Sequence, residues 1–517
     1  MSKNLPRTEC RQRGYHPALP LWIFAALGLS GCAEAPAPET SAPESTALEA
    51  TASEFDLVIL NGRVMDPESG LDAVRNVGVD DGRIAMISEQ DLVGGDTIDA
   101  SGLVVAPGFI DLHAHGQDPI SNRLQAQDGV TTALELEVGV YPVGEWLASR
   151  EGKAPIHYGA AVGHWPARVK LVDGLDVGHF PTLTVEETLR MDQGNYAYEV
   201  LSEEQVDELG RLMETGLQEG GLGFGFGITY TPGASRLEIF RLFQLAEREG
   251  VAAYVHLRGE NSGGIVGAFQ EVIALAASTG ASLHIVHMNS SANEEARVVL
   301  EMIRGAVSRG LDITTESYPY TASSTLIESA LFDPWEGLTD EEYARLQWPP
   351  TGERLTTETF NRYRQQGGWV IVHGRQEDTN EWIVAQPDVI VASDGIPFLY
   401  GPAHPRGAGT FARVLGHYSR DRGVLSLMDA LAKMTIQPAR RLEAVAPAMQ
   451  RKGRVQEGAD ADLTLFDPDR VADRATYTDG DVPSAGIMHV LVGGTAVVRD
   501  GRLVEGVFPG QAITRGQ

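Results

Sequence analysis

The stretch VVAPGFIDLHAHG, from Val104 to Gly116, ends an apolar run with two histidines separated by one residue. The apolar part, Val104–Leu112, reads as a single buried strand. Side chains alternate between the two faces of a strand, so His113 and His115 should project to the same side at its carboxyl end. This pattern predicts that the two imidazole side chains together bind a metal cation.

Residues 107–445 alternate short apolar strands with amphipathic helices, for example SRLEIFRLFQLAEREG followed by VAAYVHLRG. Repeated units of this kind over this length predict an α/β fold, a (β/α)8 TIM-like barrel with its active groups at the strand carboxyl ends. Residues 331–368 are polar, contain tryptophan and proline, and interrupt the alternation of strands and helices. We expect them to form a lid excursion over the barrel mouth.

Residues 55–106 and 446–517 have a different sequence pattern, in which short strands of alternating polarity are separated by turn residues. Asn61-Gly62 and Asp81-Gly82 each lie between apolar runs, which predicts two hairpins. We expect the two segments to build one small β-sandwich from both ends of the mature chain.

Residues 1–32 look like a bacterial lipoprotein signal peptide: a basic start, an apolar stretch, and LSGC ending at Cys32. Cleavage before Cys32 and lipid attachment to its thiol are expected, with an ordinary cleaved signal as the alternative. Residues 33–54 are rich in Ala, Pro, Glu, Thr and Ser, which predicts a disordered tether. The sequence therefore predicts an exported, membrane-anchored lipoprotein that faces the periplasm.

The charge and the cysteine content narrow the choice of partners and chemistry. The 517 residues include 41 Lys and Arg against 71 Asp and Glu, a net charge of -30, so nucleic acid is an unfavourable partner. Cys10 and Cys32 are the only cysteines. After processing no thiol would remain to act as a nucleophile or as a sulfur ligand.

Three more polar side chains stand where apolar runs stop. His256 ends VAAYVH, His287 ends SLHIVH and Asp394 ends PDVIVASD. Each by itself is typical of a structural residue or a turn. Together with the first histidine pair they predict a centre for Zn2+, with one or two ions.

Two neighbouring ions usually need a shared anionic ligand. The chain has only five lysines, and none ends a clear strand, which argues against a carboxylated lysine in that role. GVTTALELEVGV instead places Glu135 and Glu137 on one strand face. We expect Glu137, nearer the carboxyl end, to bridge the ions; a structural carboxylate pair answered by arginines remains the alternative.

These features carry a family resemblance. APGFIDLHAH, GVTTALELE, the two histidine-ending strands, TTESYPYTASST, VASDG, HPRGAGTFARVLGHYSRD and KMTIQPARRL together resemble the amidohydrolase superfamily. More narrowly they resemble its D-aminoacylase branch, the N-acyl-D-amino-acid deacylases, and in particular the D-glutamate deacylase group. The resemblance covers Phe55 to about Gly506.

The resemblance implies roles for particular residues. His113 and His115 match the first pair of metal ligands, His256 and His287 match the two later histidine ligands, and Asp394 matches the catalytic aspartate. The chain departs from the family at two places. The usual cysteine ligand after GVTT is replaced by ELEV, and Asn289 stands where many relatives have a lysine near the substrate carboxylate.

The expected activity is hydrolysis of the amide bond of an N-acyl-D-amino acid, with N-acyl-D-glutamate favoured by the resemblance. Metal-activated hydroxide would attack the carbonyl, and Asp394 would shuttle the proton to the departing amine. A cyclic amidase or a dipeptidase of the same superfamily is the first alternative. The second is an inactive binding lipoprotein, which would lack at least one of the metal ligands.

Recognition of a substrate carboxylate needs cationic or hydroxyl donors near the barrel mouth. The candidate substrate-binding residues are Arg258, Tyr230, Tyr318, Tyr320 and Arg406. Each of them is equally compatible with a scaffold role.

Overall fold

The computed structural model describes residues 54–259, 264–399, 401 and 403–516. The predicted signal peptide, Cys32 and nearly all of the predicted tether lie outside the described residues. Within the described ranges no helix is both long and apolar enough to cross a membrane.

The described residues form twenty strands. In chain order they are β1 (Glu54–Asp66), β2 (Leu71–Asp80), β3 (Arg83–Ser88), β4 (Val93–Asp99), β5 (Val104–Pro107), β6 (Phe109–Asp111), β7 (Val130–Val140), β8 (His157–Gly163), β9 (Gly223–Gly227), β10 (Ala252–His256), β11 (Ser282–Ile285), β12 (Ile313–Ser317), β13 (Ser323–Leu326), β14 (Leu346–Gln347), β15 (Trp369–Val372), β16 (Val389–Val391), β17 (Leu463–Phe466), β18 (Ile487–Val492), β19 (Thr495–Arg499) and β20 (Arg502–Leu503).

Fifteen α-helices lie in the same ranges: α1 (Pro119–Gln127), α2 (Val143–Arg150), α3 (His164–Asp173), α4 (Val185–Asp192), α5 (Glu203–Gln218), α6 (Arg236–Glu249), α7 (Gly264–Thr279), α8 (Met288–Ala292), α9 (Ala296–Val307), α10 (Asp340–Tyr343), α11 (Thr357–Gln366), α12 (Glu377–Val384), α13 (Arg406–Arg413), α14 (Leu427–Met434) and α15 (Ile436–Leu442). Short 3-10 turns cover Phe180–Thr182, Ile228–Tyr230, Asn293–Glu295, Ala330–Trp335 and Pro447–Arg451, and a π-helix covers Val414–Asp421.

Eight parallel strands form the barrel, in the order β16-β12-β11-β10-β9-β8-β7-β6. The two end strands meet through a parallel bridge between Ala114 and Gly395, and the amide of Gly116 donates to the carbonyl of Gly395 at 2.7 Å. Long amphipathic helices such as α6, which begins at the cap residue Ser235 and ends at Gly250, cover the outside. The predicted TIM-like barrel is confirmed.

The stretch from Val104 to Leu112 is not one strand, so that prediction is wrong. β5 pairs with β1 and β17 in a second sheet, whereas β6 is the first barrel strand. The chain crosses between the sheets at Gly108, where an added Cβ would lie 2.2 Å from Thr131 Oγ1. Glycine is required here because the Thr131 side chain packs directly against the Gly108 backbone and leaves no room for a Cβ.

The second sheet has nine strands, in the order β20-β19-β18-β17-β5-β1-β2-β3 with β4 beside β1. It closes over an apolar core of its own and forms the predicted β-sandwich from both ends of the described chain. Asp81-Gly82 makes the expected tight turn between β2 and β3. Asn61-Gly62 does not make a hairpin: Asn61, at φ 62°, lies in an irregularity inside the continuous strand β1.

Between β12 and β16 the chain inserts a small subdomain. β13, β14 and β15 form an antiparallel sheet, so this excursion spans more than the predicted 331–368. Its aromatic core includes Phe332, Tyr343 and Phe360. The subdomain thus has packing of its own, and it reaches over the barrel mouth.

Candidate metal centre and cavity

The six predicted ligand residues converge at the carboxyl ends of the barrel strands. They form two groups of potential ligand atoms, each within 4.8 Å of one another: His113, His115 and Asp394 in one, and Glu137, His256 and His287 in the other. The parallel barrel explains the convergence, because all its strand carboxyl ends open at the same rim.

Glu137 lies between the two histidine pairs. Its Oε2 is 3.1 Å from Nε2 of both His113 and His115. Its Oε1 is 2.8 Å from Nδ1 of His256 and 4.0 Å from Nε2 of His287. One carboxylate oxygen therefore faces each pair, which is the geometry that a bridging ligand requires.

Asp394 faces the first pair from the opposite side. Its Oδ1 is 3.5 Å from Nε2 of both His113 and His115, and Arg406 Nη2 donates to the same oxygen at 2.8 Å. Asp394 has a left-handed backbone, φ 51°, uncommon for a residue other than glycine. Such conformations persist where the surrounding structure holds a functional side chain in place.

The donor set fits a divalent metal. Among the described residues, the centre contains four buried carboxylates that share histidine partners: Glu135, Glu137, Glu316 and Asp394. The guanidinium of Arg406 pairs with one of them, Asp394. Buried anions in such excess require a cation. Ligands about 2.0–2.1 Å from a tetrahedral zinc ion lie about 3.4 Å apart. The contacting donor atoms here are 2.8 to 4.0 Å apart, a range that includes this value.

Two further carboxylates orient the first histidine pair. His113 Nδ1 lies 2.5 Å from Glu316 Oε1, and His115 Nδ1 lies 2.8 Å from Glu135 Oε2. Donation from each Nδ1–H leaves both Nε2 lone pairs directed at the centre. Glu135 is thus a support for His115, and Glu137 is the carboxylate placed between the pairs.

Each supporting carboxylate is itself held by a second histidine. His179 lies 2.8 Å from Glu135, and His284 lies 3.0 Å from Glu316. Sequence reasoning missed His179, His284 and Glu316 as members of the site. Glu316 could have been recognised in the sequence, because it is a carboxylate one residue before the end of a barrel strand. His179 lies in a loop whose sequence has no pattern that predicts a site residue.

The pKa shifts in the centre favour ionised carboxylates. Burial raises the pKa of Glu137, but the contacts with His113, His115 and His256 outweigh burial and hold this pKa well below its usual range. Burial also raises the pKa of Asp394, and the charges of Arg406 and His113 then lower it strongly. Both side chains are anions at neutral pH, as ligands and proton acceptors must be.

Replacing Glu135 with glutamine should weaken metal binding by about 10–100-fold, because the amide no longer accepts a charged hydrogen bond from His115. Titration of the metal-free protein with zinc measures this effect. Glu238→Gln is the matched control, since Glu238 is an equally buried carboxylate that binds His164 and Arg168 outside the centre. Equal affinities for the two variants would contradict the supporting role of Glu135.

A cavity of about 770 Å³ opens above the centre. Its floor contains His115, Glu137, His256, His287 and Asp394. Tyr230 and Arg258 line its wall, as predicted, and so does Arg375, which sequence reasoning missed. Arg375 donates to Ser290 Oγ at 2.8 Å and its Nη1 has no partner among the described residues.

Arg258 and Tyr230 have partners inside the protein. The Arg258 guanidinium lies 3.1 Å from Glu271, so its charge is already neutralised. Tyr230 Oη lies 3.0 Å from Thr325 Oγ1. Arg258 thus lies at the cavity wall beside an acidic partner, and its binding of a substrate carboxylate stays a prediction.

Three other predicted substrate residues lie outside the cavity lining. Arg406 is buried and binds Asp394, with its guanidinium over the Tyr318 ring at 4.6 Å. Tyr318 is buried beneath it, and Tyr320 donates to Asp473 at 3.2 Å. The structure places these three residues outside the cavity lining, and their role as substrate donors stays a prediction.

Asn289, the second departure from the family pattern, is also part of the scaffold. It donates to the carbonyl of Tyr318 at 2.9 Å and to Asn380 Oδ1 at 3.0 Å. Its amide is buried and fully engaged, so it does not replace the missing lysine as a substrate contact.

Comparison with known proteins agrees with this architecture. The N-acyl-D-glutamate deacylase of Alcaligenes xylosoxydans xylosoxydans is 30% identical, with 86% of this chain and 94% of the relative covered. The D-aminoacylase of the same organism is 28% identical, with 89% and 98% covered.

Solved structures give the same result. The N-acyl-D-glutamate deacylase of Bordetella bronchiseptica, in complex with zinc and a phosphonate inhibitor, has a TM-score of 0.73 at 27% identity, covering 89% of this chain and 100% of that one. A D-aminoacylase described with a binuclear metal centre has a TM-score of 0.74 at 25% identity, with the same coverage. Residues 96–159 and 186–498 match the amidohydrolase family, most of the chain. The chain therefore belongs to the amidohydrolase family.

Proposed function

We propose that this protein is a metal-dependent amidohydrolase that cleaves the amide bond of N-acyl-D-amino acids. The observation that carries the proposal is the position of Glu137 between two histidine pairs, with Asp394 facing the first pair on the cavity floor. The relatives named above as deacylases and the zinc in the Bordetella enzyme support both the reaction and the ion. All six ligand residues are present, which disfavours an inactive binding protein.

His113, His115, Glu137, His256, His287 and Asp394 would hold one or two zinc ions. Bound zinc would polarise a carbonyl and lower the pKa of its bound water to about 7. Asp394, held as an anion by Arg406, accepts the proton of the attacking water and passes it to the leaving nitrogen. The supporting carboxylates Glu135 and Glu316 keep both histidine rings fixed through these steps.

Arg375 is the cavity residue suited to anchor a substrate carboxylate. Among the described arginines that line the cavity, Arg258 and Arg236 both lie near Glu271, at 3.1 and 4.0 Å. Arg375 has a hydroxyl partner, Ser290, and no acidic partner within the part of the chain that the structure describes. A planar guanidinium binds a carboxylate with two parallel hydrogen bonds.

Replacing Arg375 with methionine should raise KM at least about tenfold with a smaller change in kcat, because a charge-assisted hydrogen bond is worth about 1.5–3 kcal/mol. Steady-state kinetics with the best N-acyl-D-amino acid measures both constants. Arg236→Met, at the exposed rim of the same cavity, is the control and should leave KM nearly unchanged. An unchanged KM for Arg375→Met would place the carboxylate elsewhere.

A hydrolysis screen on the zinc-reconstituted enzyme tests the function. N-acetyl-D-glutamate and other N-acetyl-D-amino acids should be cleaved, and their L-isomers should be poor substrates. A hydantoin and an isoaspartyl dipeptide represent the cyclic amidase and the dipeptidase. Preference for either of them, or for L-isomers, would overturn the proposal.

We also propose that the enzyme is exported and anchored by lipid on Cys32. The support is the sequence of residues 1–32 alone, which combines a basic start, an apolar stretch and the LSGC motif. Cys32→Ser should move the protein from the membrane fraction to the soluble fraction. Immunoblots of the two fractions measure this shift, and an unchanged distribution would reject the anchor.

A further inference from the structure

A second, smaller cavity of about 190 Å³ adjoins the catalytic cavity. Phe180, Leu326 and Trp369 line both cavities and form the wall between them. Leu326 and Trp369 are cross-strand partners in the inserted sheet, which places this wall in the subdomain over the barrel mouth. The small cavity is therefore a direct neighbour of the catalytic one, and we refer to it as the apolar extension.

The lining of the small cavity favours an uncharged, apolar group. Its other side chains include Leu183, Val185 and Trp348. Among the described residues that line it, Glu328 alone is charged, and its Oε2 accepts from the amide of Gly368 at 2.9 Å. A carboxylate here repels an anionic substrate group, while apolar cavities of about 150 Å³ are large enough for benzene.

The direction of β15 relates the small cavity to the proposed anchor. Trp369 begins this strand at the wall of the small cavity, and Arg375 lies three residues beyond the other end of the strand, Val372. The strand itself separates these ends by about 10 Å, at about 3.3 Å per residue. With the substrate carboxylate at Arg375, the opposite end of the substrate points towards the small cavity.

We propose that the small cavity binds the acyl chain, so that the substrates are N-acyl-D-amino acids with an alkyl or aryl acyl group longer than acetyl. This inference rests on the proposed function and deepens it. The acyl carbonyl lies over the metal centre, and the chain beyond it passes Phe180 and Trp369 into the apolar extension. Each buried methylene adds favourable transfer free energy, equivalent to about two- to fourfold in kcat/KM.

A chain-length series tests the inference. N-acetyl-, N-butanoyl-, N-hexanoyl- and N-octanoyl-D-glutamate are compared by kcat/KM on the intact zinc enzyme, together with the D-leucine series. The expected result is a rise of about two- to fourfold per methylene until the cavity is full. A flat or falling series with active enzyme would overturn the inference alone, whereas no hydrolysis of any member would overturn the proposed function.

A filling variant adds a second readout. Val185 lines the small cavity near the start of α4 and is partly exposed, so Val185→Trp has room to be accommodated. It should remove the gain of the octanoyl substrate while leaving N-acetyl hydrolysis within about twofold. Glu186→Trp, exposed on the same helix and outside the cavity lining, is the matched control. Equal chain-length profiles for the two variants would contradict the assignment.

Discussion

Replacing Asp394 with asparagine should lower kcat by about 10²–10⁴-fold, the range by which a positioned acid or base accelerates proton transfer. Asparagine keeps the shape of the side chain and its hydrogen bond with Arg406, but it cannot accept the proton of the attacking water. Steady-state kinetics measures the loss, and elemental analysis of the same sample measures zinc per chain.

Asp473→Asn is the control for this substitution. Asp473 also pairs with an arginine, Arg413 at 3.2 Å, but lies outside the cavity lining, so kcat should stay near that of the unmodified enzyme. Full turnover of Asp394→Asn with zinc bound would contradict the proton role. Loss of zinc together with turnover would instead make Asp394 mainly a ligand.

Replacing Glu137 with glutamine should lower the zinc content per chain and reduce kcat/KM by more than about 100-fold. Loss of an outer partner of a metal ligand already costs about 10–100-fold in affinity or activity. Glu137 contacts members of both histidine pairs, so its loss should cost more. A neutral amide offers one oxygen and one NH2 group, so it cannot present an anionic oxygen to each pair.

The variant Glu137→Asp distinguishes the effect of the negative charge on zinc binding from the effect of side-chain length. Aspartate keeps the negative charge on a side chain shorter by one methylene, so it should retain more zinc than glutamine but less than glutamate. Elemental analysis of the three proteins, prepared under the same conditions, gives the order. Unchanged stoichiometry in Glu137→Gln would reject the bridging position.

The local sequence pattern was sufficient to predict those features that strand geometry alone determines. The paired spacing of His113 and His115, and the histidines or aspartate at three later strand ends, follow from two facts: side chains alternate along a strand, and parallel strands end at one rim. The barrel and the convergence of the six side chains were therefore predictable from the sequence. The choice of Glu137 over Glu135 was predictable for the same reason, since it stands nearer the strand end.

Pattern failed where a contact distant in sequence competes with the local signal. Asn61-Gly62 has hairpin chemistry, yet β2, β4 and β5 all pair with β1 and keep it continuous. For Arg406 the sequence left substrate recognition and a scaffold role equally open, and in the folded protein its guanidinium pairs with Asp394. Backbone pairing and buried charge pairs override such local preferences, because a buried polar or charged group without a partner destabilises the folded protein.

The sequence by itself determined the barrel and the sandwich, and it singled out six residues that converge in the candidate metal centre, because hydrophobic periodicity and residue type report directly on strands and on metal chemistry. The tertiary structure alone decided which carboxylates and histidines stand behind the first histidine pair, namely Glu135 with His179 and Glu316 with His284. It also decided which arginine faces the cavity and where the apolar extension lies. These properties depend on distances between residues far apart in the chain, such as His179 and Glu135 or Val185 and Trp348, and no local pattern encodes such distances.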